Sequence, residues 1–178
     1  FRSLPVLEAD RAINRRLAGT NTFQVLVEGE DDAIKDPRVL EAMQATQRFL
    51  EREPQIGKTL SIVDFLVRIN AALNPGEAGP TDIPRTSDLV AQYLLLYSMS
   101  GDPGDFDHYV DYPYRTAVIT GYMREESSAY LIDLDRRLRA FVAATFPPSV
   151  RVSIGGTVMQ PVALNAVIVA SKLLNIAQ

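Results

Sequence analysis

The chain contains no cysteine. Disulfides, thiolate chemistry and cysteine-ligated zinc or iron–sulfur sites are therefore excluded. The absence assigns no compartment, because periplasmic and cytosolic domains alike can do without cysteine. Histidine occurs once, at His108, which rules out a His pair or a multi-histidine zinc site and leaves few catalytic constellations. Basic residues cluster no further than Arg136, Arg137 and Arg139, on a segment that also carries Asp133 and Asp135. With a net charge of −4, the chain lacks the grouped Lys and Arg that displace counterions from phosphate, and nucleic acid is not an expected partner. No charged segment followed by an apolar run opens the chain, so no signal peptide is visible. Long apolar runs are also missing, with one partial exception. Pro161 to Gln178 has Lys172 as its only charge, yet its length is short of the roughly 20 residues a membrane helix wants. Asn165, Ser171, Lys172 and Asn175 interrupt it, which a buried span tolerates poorly. It reads either as a helix packed on the core of its own domain or as an approach to a membrane.

What remains is the composition of a folded protein: 47% hydrophobic and 22% charged over 178 residues, enough for one compact domain or at most two small ones. Asn21 and Thr22 introduce a strand in which Phe23, Val25 and Val27 alternate with Gln24, Leu26 and Glu28. Asp36-Pro37 starts a helix, Asp36 as cap and Pro37 at the first helical position. Val39, Met43, Thr46 and Leu50 follow at helical spacing, widened by Leu40 and Phe49, until Pro54. Gly57 to Ser61 is a second, short strand, and Ser61 with Asp64 forms a capping pattern. The next helix carries Ile62, Phe65, Leu66, Ile69 and Leu73 on one side. Asn74 to Pro84 is turn-rich. A further helix runs from Ser87 with Leu89, Val90, Tyr93, Leu94 and Tyr97 on its apolar side, and breaks at Ser100-Gly101-Asp102-Pro103-Gly104.

The second half repeats the first in type. Arg115 to Arg124 is a strand rich in β-branched residues. Ser127 or Ser128 caps a long helix with Leu131, Leu134, Leu138, Phe141 and Val142 in register, ending before Pro147-Pro148. Asp133 and Arg137 sit one turn apart in the favourable orientation. Val150, Val152 and Ile154 alternate in a last strand closed by Gly155-Gly156. The order strand–helix–strand, twice over, predicts an α+β, ferredoxin-like split βαβ fold: a four-stranded antiparallel sheet with helices on one face. The expected organisation is a single domain over 1–178, with a helical insertion over about 62–112 and a C-terminal helix over about 161–177.

The run Leu17-Ala18-Gly19-Thr20-Asn21-Thr22-Phe23, followed by Val25-Leu26-Val27-Glu28-Gly29, resembles the opening of the first periplasmic loop in RND-superfamily exporters of the MMPL/Patched-like type. Asp36-Pro37-Arg38-Val39-Leu40, Ser61-Ile62-Val63-Asp64-Phe65-Leu66, Ile69-Asn70-Ala71-Ala72-Leu73, Gln92-Tyr93-Leu94-Leu95-Leu96-Tyr97 and Asp111-Tyr112-Pro113-Tyr114-Arg115-Thr116-Ala117 are similar to later segments of that loop, in the same order. The resemblance implies ferredoxin-like porter material between the first and second membrane helices, on the periplasmic face of the bacterial inner membrane. The absence of an initiator methionine at Phe1 and the apolar tail fit two cut edges of one loop. In such exporters proton-driven energy conversion belongs to ionisable residues in membrane helices. None of those helices lies in this chain, so no relay residue carries over. The implied role is binding or passage of hydrophobic or lipid-like molecules, with the membrane helices and second periplasmic loop of the same transporter as partners. Oligomeric state is left open, and neither enzymatic turnover nor a cofactor is expected. The alternative is a membrane-tethered binding, sensor or assembly domain without a transport role.

Tyrosines mark the expected substrate path. Tyr93, Tyr97, Tyr112 and Tyr114 fall close together around the insertion, and tyrosine offers broad amphipathic contact area. For Tyr93 and Tyr97 the other reading is that they anchor their helix to the core. The acidic residues near His108 (Asp102, Asp105, Asp107 and Asp111) lack the glycine and terminal glutamate of a calcium loop and read as solvated, as does Glu30-Asp31-Asp32. No metal site is expected. Gly155-Gly156-Thr157 reads as a tight turn rather than an anion cradle.

Overall fold

The computed structural model describes residues 19, 21–77, 79, 81–100, 106–124, 127–156 and 159. Among these lie four strands: β1 (Asn21–Glu28), β2 (Ile56–Leu60), β3 (Thr116–Met123) and β4 (Arg151–Gly155). The helices are α1 (Pro37–Glu51), α2 (Ile62–Leu73), α3 (Ser87–Ser100) and α4 (Ser128–Thr145), with a 3₁₀ turn at Ala33–Lys35. The C-terminal helix expected over 161–177 lies outside the described residues, as do Asp102, Asp105 and Thr157.

The sheet order is β2-β3-β1-β4, and every neighbouring pair is antiparallel. β1 and β2 are consequently parallel with β3 between them, and β3 and β4 are parallel with β1 between them. Each pair is bridged by one helix, α1 or α4, so the chain has the ferredoxin-like split βαβ fold. α2 and α3 are inserted between the two units. α2 lies against α1 and β3, and α3 lies against α2 and the 3₁₀ turn.

Local chemistry explains three of the four helix starts. The Asp36 carboxylate accepts from the Arg38 N–H at 2.9 Å, with Pro37 at the first helical position. At Ser61 the capping box is complete: Ser61 Oγ accepts from the Val63 N–H at 3.1 Å, and Asp64 Oδ2 from the Ser61 N–H at 2.8 Å. Ser127 Oγ accepts from the Tyr130 N–H at 3.4 Å.

One face of the sheet carries the core. The register sets Val25 against Ile119, Val27 against Ala117 and Phe23 against Gly121, and all the apolar members of these pairs are fully buried. On the other face, Leu26 and Val118 are half-buried and Gln24 is exposed. Gly121 is required by packing: a Cβ there would stand 2.4 Å from the Phe23 ring. α1 and α4 close over the core face, Phe49 stacking on Phe141 with ring centroids 4.5 Å apart. At the end of α1, Glu53 pairs with Arg137, which also holds Asp133 at 2.8 Å. The Arg137 guanidinium keeps the Glu53 carboxyl below its ordinary pKa.

A buried polar network ties β2 to both flanking helices. The Gln47 amide donates to Asp64 at 2.8 Å and Thr59 at 3.2 Å and accepts from Ser61 Oγ at 2.9 Å, while Thr59 Oγ1 donates to Glu51 at 2.8 Å. No buried side-chain polar atom among the described residues lacks a partner, as a stable interior requires. The buried stripe of α2 differs from the expected one. Ile62, Val63, Leu66, Val67 and Asn70 are buried, whereas Leu73 is 49% exposed. The helix turns its Val63–Val67–Asn70 side inward so that Asn70 can hydrogen-bond α3 and the linker, and Leu73 is carried past the packed end.

Candidate functional site: an apolar cleft beside α3

Between α3 and the segment that returns to β3 lies an open cleft of about 550 Å³, within the 300–1,000 Å³ range typical of small-molecule sites. Its apolar wall is Ala91 and Leu95 of α3 with Phe106 and Val110. Tyr112 and Tyr114 stand at its mouth, and Asp31, Asp32, Lys35, Ser98, Asp107 and Asp111 supply its polar lining.

Segment 106–115 is positioned by backbone bonding at both ends. Where β2 leaves the edge at Leu60, Val110 takes its place by bridging to Ala117. The next residues form a tight turn. The Asp111 carboxylate accepts from the N–H groups of Arg115 at 2.8 Å and Thr116 at 2.9 Å, and the Tyr114 N–H donates to the Asp111 carbonyl at 3.0 Å. The turn then docks on the loop after β1. The N–H groups of Gly29, Asp32 and Ile34 donate to the carbonyls of Arg115, Pro113 and Tyr114 at 2.8, 3.1 and 3.0 Å. Arg115 also pairs with Asp31.

The two non-glycine residues with positive φ among those described, Asp32 at 63° and Tyr114 at 55°, both lie on this rim. Such backbone costs on the order of 1 kcal/mol or more and persists only where the surroundings enforce it. Lys35 links the two, with Nζ 2.8 Å from Asp32 and 4.2 Å above the centre of the Tyr114 ring. Burial raises the Tyr114 hydroxyl above its ordinary pKa, so at neutral pH it is an uncharged donor and acceptor beside an apolar wall.

The four tyrosines divide between two settings. Tyr112 and Tyr114 line the cleft, Tyr112 with 95% of its surface exposed. Tyr93 is buried, its hydroxyl bonded to Asn70 at 3.1 Å and Asn74 at 2.8 Å, so it fastens α3 to α2. Tyr97 is half-buried in an aromatic cluster, 4.5 Å from Phe106 and 6.3 Å from Phe65 between centroids. These two pack the wall behind the cleft rather than facing into it. Of the acidic residues read as solvated, Asp31, Asp32, Asp107 and Asp111 line the cleft.

Sequence reasoning missed the aliphatic half of the site. Leu95 is 61% exposed and Met99 79% exposed on the outward side of α3, while Val90 and Leu94 are buried on its inward side. A helix apolar on both sides, with its outer side left open, is itself a signal of a ligand or partner. No described helix is long and apolar enough to cross a membrane. No protein-family model and no curated protein matches this chain.

Proposed function

We propose that this chain is the extracytoplasmic, porter-type domain of an RND-type exporter, and that the cleft beside α3 takes part in binding or passing hydrophobic, lipid-like molecules. The observation that carries the reading is the cleft's composition: an open wall of Ala91, Leu95, Phe106 and Val110 beside a rim with four aspartates and Lys35, which suits an amphiphile with an apolar body and an uncharged or cationic polar end. The resemblance of the sequence to the first periplasmic loop of such exporters and the ferredoxin-like fold support the same reading. The domain supplies contact surface and moves as a body, while membrane helices outside this chain convert the proton gradient.

The test is photo-crosslinking of the chain with a diazirine-bearing long-chain alcohol, followed by peptide mapping. Labelling concentrated on Ala91, Leu95 and the Phe106–Tyr114 segment is expected, with competition by unlabelled lipid. Labelling spread over the surface without competition would count against the cleft. Turnover of a substrate by this chain, abolished by a point substitution, would sink the non-enzymatic reading.

A further inference from the structure

Among the described residues the sheet has two unpaired edges, β2 and β4, and they are built differently. β2 is blunted: its register shifts between Ile56 and Lys58, and Lys58 is exposed there. A bulge and an edge lysine are devices that stop a strand from recruiting another. β4 has neither. It pairs with β1 in unbroken register from Arg151 to Gly155 and has no strand on its other side among the described residues. Along that side runs a groove of about 360 Å³, lined by Arg139, Val142 and Ala143 of α4, by Phe146 at its C-cap, and by Val150, Val152 and Ile154, so that apolar side chains share it with one arginine.

The sequence of β4 complements itself. A two-fold axis through Ser153 sets Ser153 against its own copy, Val152 against the partner's Ile154, and Arg151 against the partner's Gly155. No like charges meet, and each arginine faces a residue without a side chain. Val152 and Ile154 lie on the core face, opposite Val27 and Val25 of β1. The same residues of a second copy would therefore sit against the mouth of the groove. Arg151 keeps its own partner, Glu28, at 3.1 Å.

We propose that β4 is a homodimerisation edge, joining two copies of this chain antiparallel about Ser153 into one eight-stranded sheet. Main-chain hydrogen bonds supply the pairing, and the grooves beside α4 receive the apolar side chains, as in other strand additions. This goes beyond the lipid-binding reading and does not depend on it.

Sedimentation of the whole chain over a concentration series tests the dimer, with Ser153→Lys and Ser153→Asp as probes. Ser153 is exposed, so both variants are expected to keep the wild-type melting profile. Like charges placed directly opposite should weaken each variant dimer roughly tenfold or more, and mixing the two variants should restore a heterodimer. On the wild type, hydrogen exchange at Arg151–Gly155 should slow as concentration rises. A wild-type monomer at every concentration, or an S153K dimer as tight as the wild type, overturns the proposal. So does a β4 edge protected only when another part of a longer protein is added.

Discussion

Gly121 and Tyr93 show how single positions divide between packing and function. Gly121 faces Phe23 across β1 and β3, and the ring stands where its side chain would be. Gly121→Val should cost about 1–3 kcal/mol as Phe23 is forced off its rotamer, read as a lower midpoint in urea. Tyr93 is a second structural case. Tyr93→Phe removes a hydroxyl bonded to Asn70 and Asn74 and should cost about 1 kcal/mol, with lipid binding unchanged. Tyr112→Ala should do the reverse, shifting stability by less than about 0.5 kcal/mol because the side chain is solvent-facing, and weakening binding. From sequence both tyrosines fall on the expected path and only Tyr93 has the second reading of a helix anchor, since residue type alone does not reveal that a pair of asparagines waits behind it. The caps at Asp36, Ser61 and Ser127, by contrast, are legible because cap and first turn are adjacent in the chain.

At the scale of elements, the helices are held by contacts whose legibility depends on their range. Asp133 and Arg137 are a visible pair within α4, but the partner that matters more, Glu53, arrives from the end of α1. Arg137 lowers the Glu53 pKa, so the folded state binds that proton less readily than the unfolded chain does. The stability from this pair is therefore present above the ordinary glutamate range and is lost as pH falls through it toward the lowered value. Glu53→Gln should lower the melting temperature at pH 7 and flatten its decline below about pH 4.5, measured by thermal scans across the acid range. α3 illustrates the limit of periodicity. Its inward residues Val90, Tyr93 and Leu94 follow the helical spacing, but Leu95, Leu96 and Met99 add apolar surface around the cylinder. Only the packing of α2 and the 3₁₀ turn decides which side remains open.

Across the whole molecule, the fold is legible because its logic is local. Two strand–helix–strand units, each with alternating strands and a capped helix, have few ways to close one sheet over one core. The cleft is not legible, because it is assembled from three separate stretches, 31–35, 91–98 and 106–114, brought together by the Val110–Ala117 bridge and the docking of the 111–115 turn on the loop after β1. The lipid-binding proposal places the ligand against this assembled wall. The most direct measurement is a fluorescence titration of the chain with a dansyl-labelled long-chain alcohol, run beside Leu95→Asp and Tyr112→Ala. Leu95→Asp places a charge on the apolar wall at a position that is already exposed, so folding should be retained. Saturable binding by the wild type is predicted, weakened about tenfold or more by Leu95→Asp and less by Tyr112→Ala. Wild-type affinity retained in both folded variants, or no saturable binding at all, would contradict it.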